Sequence, residues 1–184
     1  MKITLDYVCQ LLGWEHLHLQ IVDGGNDHSW WGPVEVIHLE QQAGHRPAYS
    51  ASHGLSAVMA QTAAALALGH HIFGDTVYLQ KAEQLFARAD ADRSDENYTA
   101  ASGFYNSWSG PIDELMWAAI WLYIATGDAS YLTKAESYPA APQSTGTDRR
   151  TSSLCGKTAG MAHCKSLRLL QQGWWSNRDW HLII

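Results

Sequence analysis

The residues best suited to chemistry gather in one stretch, Phe104-Tyr105-Asn106-Ser107-Trp108-Ser109-Gly110-Pro111-Ile112-Asp113-Glu114-Leu115. Three aromatics stand close together, then a Ser-Gly-Pro turn, then two adjacent carboxylates. Rings on a loop make a platform for a flat ligand, and a sugar ring suits it because its axial C–H face stacks on aromatic faces. Pro111 suits the first helical position, where its missing N–H would be unpaired anyway. Asp113 and Glu114 then fall in the first turn, where the helix dipole favours negative charge. On the residues alone, that dipole is sufficient reason for the two carboxylates. A second stretch, Asp23-Gly24-Gly25-Asn26-Asp27-His28-Ser29-Trp30-Trp31-Gly32-Pro33, is turn-rich and carries a histidine with two tryptophans. Core packing is one reading of Trp30-Trp31; function is the other, since long loops in a compact domain are usually functional.

These stretches need elements to hold them. Residues 2–12 read as an amphipathic helix with Ile3, Tyr7 and Leu11 on one face. Residues 13–53 read as loop, with a short extended run at 17–22. Residues 56–72 are apolar or small all round, which predicts a helix buried on every side, with Ser56 as its N-cap. Residues 76–91 put Tyr78, Ala82, Leu85, Phe86 and Ala89 on one stripe, which predicts an outer, half-exposed helix. The unit then recurs: Gly74-Asp75-Thr76-Val77-Tyr78-Leu79-Gln80-Lys81-Ala82-Glu83 echoes Gly127-Asp128-Ala129-Ser130-Tyr131-Leu132-Thr133-Lys134-Ala135-Glu136, 53 residues on (127 minus 74). Each copy follows an apolar helix. An inner helix, a Gly-Asp turn and an outer helix, repeated, predict helical hairpins set side by side, as in solenoids and closed α/α toroids. The aromatic loops 13–53 and 92–110 would then lie at one end. Trp117 and Trp121 read as core residues of the apolar helix that follows Pro111.

Composition excludes several classes. The chain has 184 residues and a net charge of −6, with no basic arm, which argues against a nucleic-acid partner. No apolar run reaches the roughly 18 residues of a membrane span. Cys9, Cys155 and Cys164 fit neither a disulfide scaffold nor a zinc spacing. No signal-peptide pattern opens the sequence. Nine tryptophans are many for this length and hint at carbohydrate. Residues 1–139 hold 6 basic and 16 acidic side chains, net −10; residues 140–184 hold 6 and 2, net +4. Apolar periodicity stops at the same place. Residues 1–138 therefore read as one partial domain and 139–184 as an atypical tail, out of frame or disordered. A reading-frame shift would change charge and period in one step.

Three motifs, taken in order, resemble a known family. Asp27 through Val36, Thr62 through Ala67, and Phe104 through Leu115 with Trp117 are similar to the middle of glycoside hydrolase family nine. These are inverting endo-β-1,4-glucanases (cellulases) built on a six-hairpin α/α toroid. The resemblance spans about residues 2–138. It implies an all-α fold of about three hairpins, an incomplete toroid, and a β-1,4-glucan or cello-oligosaccharide partner. It implies that His28 and Trp31 line sugar subsites and that Phe104, Tyr105 and Trp108 form the stacking platform. It also implies that Ser109, Gly110, Asp113 and Glu114 belong to a structural calcium site, since calcium takes hard oxygen donors. Full-length members are secreted or at the cell surface.

The departures are specific. Inversion needs an acid and a base flanking a water, but the family's Asp-Ala-Gly-Asp base motif and its C-terminal acid have no counterpart here. Met1 aligns within a family helix. Lys165-Ser166 follow Ala162-His163-Cys164 where the family has a calcium-binding aspartate, so any calcium site should be weak. The expectation is a piece of an endoglucanase that carries sugar-subsite residues but no catalytic residue. The alternatives are a non-catalytic glycan-binding helical fragment, or a toroid enzyme using Asp23, Asp27, Asp92 or Asp95. His16, His18, His70 and His71 are expected to be surface or packing residues.

Overall fold

The repeated Gly-Asp turn makes the fold. The computed structural model describes residues 1–12, 16–100, 102–104 and 110–138. The tail from 139 onward lies outside the described residues, and with it the expectation for its order. Ten elements follow in sequence: α1 Lys2–Leu11, β1 Leu17–Ile21, α2 Gly24–Ser29, a 3₁₀ turn Val34–Val36, α3 Ile37–Gln42, β2 Ala48–Ala51, α4 Ser56–Phe73, α5 Thr76–Asp92, α6 Ile112–Thr126 and α7 Ala129–Ser137. None of the described helices is long and apolar enough to cross a membrane.

Helices α4–α5 and α6–α7 are the two copies of the hairpin. Gly74 and Gly127 end the inner helices in the left-handed conformation, φ 70° and 73°, where glycine bears no Cβ penalty. Asp75 and Asp128 then cap the outer helices, accepting from the Val77 and Ser130 amides at 3.0 and 2.9 Å. The inner helices pack on each other through small and apolar residues, among them Ala60, Ala63, Leu66 and Ala67 of α4 and Leu115, Ala118, Ala119 and Leu122 of α6, all fully buried. Gln61 and Glu114, 53 residues apart and so equivalent in the repeat, meet across this interface at 3.2 Å.

The outer helices repeat their contacts as well. On α7, Tyr131 donates to Glu83 of α5 at 3.3 Å and Lys134 bonds Asp90 of α5. On α5, the equivalent Tyr78 bonds Asp6 of α1 and Lys81 donates to the Leu12 carbonyl at 3.1 Å. Thus α1 stands to α5 as α5 stands to α7, the position of an outer helix in a preceding pair. Asp6 is bonded by Tyr78 and Lys2 and Asp90 by Lys134 and Tyr138, and against the opposing effect of burial these partners hold both carboxyls below the usual range.

Four expectations need correction. Helix α1 buries Leu5 and Leu12, with Val8 and Cys9 against the core, while Ile3 and Tyr7 are exposed. Both stripes are apolar, and the neighbouring helices select one. Helix α4 is not covered on every side: Gln61 and Ala65 are exposed, as are Ile72 and Phe73 in its last turn. Trp117 is 45% exposed, so it is not a core residue of α6. Ser56 is the first helical residue and not the N-cap; fully buried, its hydroxyl accepts from the Ser94 amide at 3.0 Å. The N-terminus of α4 is capped by the strap after α5 instead, with Asp95 accepting from the Ala57 amide at 2.8 Å and the Ser94 carbonyl from Ser56 at 2.9 Å.

Residues 13–53, read as loop with one short extended run, also depart from the expectation: their described part holds α2, α3 and a two-stranded antiparallel sheet. Strands β1 and β2 pair Leu17 with Ala51 and Ile21 with Ala48, with an irregularity between His18 and Gln20.

Candidate functional site

Helix α2 is built from poor helix formers and is fixed by its ends. Asp23 caps it, accepting from the Asn26 amide at 3.0 Å and from the Asn26 side chain at 2.6 Å. These donors hold the Asp23 carboxyl below the usual range. Asp27 pairs with Arg46 at 2.6 Å, and the Arg46 guanidinium lies 6.0 Å from the centre of the Trp30 ring. The helix is thereby tied to the turn before β2.

Its other face carries the predicted subsite. The Gly24 amide donates to the Ala100 carbonyl at 2.7 Å. A Cβ on Gly24 would sit 2.4 Å from the Phe104 ring, so only glycine lets the aromatic loop close on α2. Phe104 then stacks on His28, with ring centres 4.4 Å apart and planes tilted by 32°. His28 Nδ1 donates to the Gly24 carbonyl at 2.9 Å, which fixes the ring's orientation. Two residues predicted from separate motifs, 76 positions apart (104 minus 28), are therefore in contact. Both rings keep exposed surface, Phe104 43%. Trp31 is 92% exposed, an aromatic face turned entirely to solvent. Tyr105, Trp108 and Ser109 lie outside the described residues.

The carboxylates form a second cluster nearby. Asp113 and Glu114 are half-buried in the first turn of α6, after Gly110 at φ 76°. Burial first, and then the hydrogen bond and charge of Asp113, push Glu114 up to about 8. Asp95 is also raised, by burial first and then by the charges of Asp92 and Asp113. Among the described residues, no three His, Cys, Asp or Glu side chains converge to hold a metal ion. The carboxylates of the alternative enzyme do positional work: beyond Asp23, Asp27 and Asp95, Asp92 accepts from the Gly54 amide at 2.5 Å. His70 bonds the Asp75 carbonyl at 2.9 Å, and His16, His18 and His71 are exposed, as expected.

Sequence reasoning missed helix α2 and the Gly24 requirement. A signal was present, since Asp23 with Asn26 three residues later is a capping pattern. The Asp27–Arg46 tie had none, because only the fold brings those residues together.

Comparisons with known proteins bear on the family and the fold. Endoglucanase 4 of Bacillus sp. (strain KSM-522) is 48% identical over 126 residues, covering 63% of this chain and 19% of that enzyme. Endoglucanase 13 of Oryza sativa subsp. indica is 36% identical over 165 residues, 85% of this chain and 26% of its own length. The crystal structure of endoglucanase CelQ from Clostridium thermocellum, complexed with cellotriose, superposes with a TM-score of 0.70 at 46% identity, over 79% of this chain and 24% of that one. The chain thus spans about a fifth to a quarter of the relatives it matches. The family model described as Glycosyl hydrolase family 9 matches residues 1–177, further than the motif-level resemblance, which ended near Tyr138. With the family model over most of its length and the fold in agreement, this chain belongs to glycosyl hydrolase family 9.

Proposed function

We propose that the full-length protein is an endo-β-1,4-glucanase and that this chain supplies part of its glucan-binding cleft. The contact of His28 with Phe104 carries the reading: two predicted subsite residues meet at the loop end of the hairpins. The solved relative with cellotriose makes cello-oligosaccharide the ligand class to test. An exposed ring stacked on an oriented imidazole offers a pyranose both a C–H face and a hydrogen-bonding edge. Trp31, 92% exposed, adds a further ring to that surface.

Hydrolysis with inversion requires a general acid and a general base on either side of a water. We assign neither to this chain. The full-length protein supplies both from other segments, and acts on glucan outside the cell or at its surface. Binding without turnover is therefore the expected behaviour of the 184-residue chain. Trp108→Ala should weaken cello-oligosaccharide binding by roughly 1–3 kcal/mol, the range for stacking of a ring on an aromatic side chain. Release of reducing sugar from carboxymethyl cellulose, abolished by Asp23→Ala or Asp27→Ala, would place catalysis in this chain and overturn the assignment.

Calcium is part of the same proposal. The crowded Asp113 and Glu114 suit a hard dication, which would favour their ionised forms. With the Gly110 carbonyl and Ser109 they make four donors, against the roughly six to eight that calcium takes. A weak, structural site follows. Calcium should raise the melting temperature only slightly; a large rise at micromolar calcium would show a fuller ligand set.

A further inference from the structure

The loop region also forms an open pocket of about 490 Å³, lined in part by Asp23, Asn26, Trp30, Glu40 and Tyr49. It is distinct from the His28–Phe104 contact. Asn26 and Ser29 of α2 line it, and Gly24 and His28 do not. At roughly 100° per residue the two pairs lie on different faces of the helix.

Three features describe what would fit. The volume is in the range of about 300–1,000 Å³ typical of small-ligand pockets. Trp30 and Tyr49 each bring an aromatic ring and a hydrogen-bond donor. Asp23, Glu40 and Asn26 bring planar acceptors, with Asp23 kept ionised by its amide donors. Arg46 and His45 line the pocket too and are paired with Asp27 and Glu40, so an aromatic face beside charge-balanced polar groups suits a neutral ligand with adjacent hydroxyls. The backbone adds a separate observation. Val22, buried and lining the same pocket, has φ 64°, a conformation that a β-branched residue adopts only under constraint. It is held there by its amide, which donates to the Pro47 carbonyl at 2.7 Å. Such strain concentrates at ligand clamps and functional sites.

We propose that this pocket is a second carbohydrate site, taking a single pyranose unit at the back of α2. The choice of a glucosyl ligand rests on the glucan reading above; the pocket itself does not. The test is an NMR titration of the ¹⁵N-labelled 184-residue chain with cellobiose, following the Trp indole N–H signals. The Trp30 signal is assigned by its loss in Trp30→Phe. The Trp30 signal should shift saturably. Tyr49→Phe, which removes only a hydroxyl, should raise the Kd about fivefold, the worth of one ordinary hydrogen bond. Trp108→Ala should leave the Trp30 shift unchanged. No shift of Trp30, an unchanged Kd in Tyr49→Phe, or loss of the shift in Trp108→Ala would each overturn the proposal. A saturable Trp30 shift with binding elsewhere indifferent to Trp108→Ala would uphold the pocket and remove the aromatic platform.

Discussion

The hairpins α4–α7 and the segment 16–55 are held together by different physics. The hairpins bury whole faces of alanine and leucine, and their turns are fixed by Gly-Asp pairs. Segment 16–55 buries little: along α2 only Gly24 is buried, and along α3 no residue is. Its shape comes from caps, the Asp27–Arg46 and Glu40–His45 ties, an irregular two-stranded sheet and glycines at close approaches. Apolar burial is strong and undirected, so it suits a scaffold. Hydrogen bonds and ring contacts are weaker singly but directional, so they suit a surface that holds His28, Trp31 and Phe104 in exposed positions.

That contrast can be broken most sharply in the core. Leu66→Ala should destabilise the whole protein by about 2–5 kcal/mol, read as a lower denaturant midpoint. Arg46→Ala in the loop segment should cost about 1 kcal/mol or less; equal losses would mean that both regions rest on the same kind of packing. Gly54→Ala probes the junction between them. Gly54 sits at φ 66°, and a Cβ there would lie 2.9 Å from the Asn97 backbone nitrogen. Strain and overlap together should cost about 2–3 kcal/mol. A melting temperature equal to wild type would show that the strap over α4 yields easily.

The carboxylates near that strap give a pH signature. Glu114 is raised from 4.5 to about 8 in the folded chain. In the interval between those values the folded state keeps a proton that the unfolded state loses, so stability is full below the lower value and falls as pH rises through about 8. Allowing for its partial exposure, the fall should be on the order of 2 kcal/mol. The lowered carboxyls, Asp6, Asp23, Asp90 and Asp128, act at the acid end and do not obscure it. Glu114→Gln should flatten the slope in denaturant midpoints taken across neutral pH; an unaltered slope would assign it to another group. A modest effect belongs to the repeat itself. Asp75→Ala and Asp128→Ala should each cost about 1 kcal/mol, and similar losses at the two sites would confirm that the hairpins are equivalent in energy as well as sequence.

The hairpins were legible because their signals are local. The stripe Tyr78, Ala82, Leu85, Phe86 and Ala89 is buried as the periodicity predicts, and both Gly-Asp turns sit where the repeat puts them. Periodicity was silent on which apolar stripe is covered, hence the reversal of Ile3 and Tyr7 against Leu5 and Val8 on α1. Helix α2 was hidden by Gly24 and Gly25, whose low helical propensity is overridden by the Asp23 cap and by docking on the Phe104 loop. His28 and Phe104 were singled out by family motifs. Their contact was not, because it depends on a glycine whose role is visible only when the aromatic ring is in place.

The central claim, that the loops carrying His28 and Phe104 bind sugar through side chains that do not set the stability of the hairpins, is tested by calorimetric titration of the chain with cellotetraose, comparing wild type with Phe104→Ala. The expected result is a loss of roughly 1–3 kcal/mol in binding, with the thermal midpoint of the hairpins unchanged. Equal affinity in the two proteins would contradict the claim, as would a loss of binding matched by a loss of the fold.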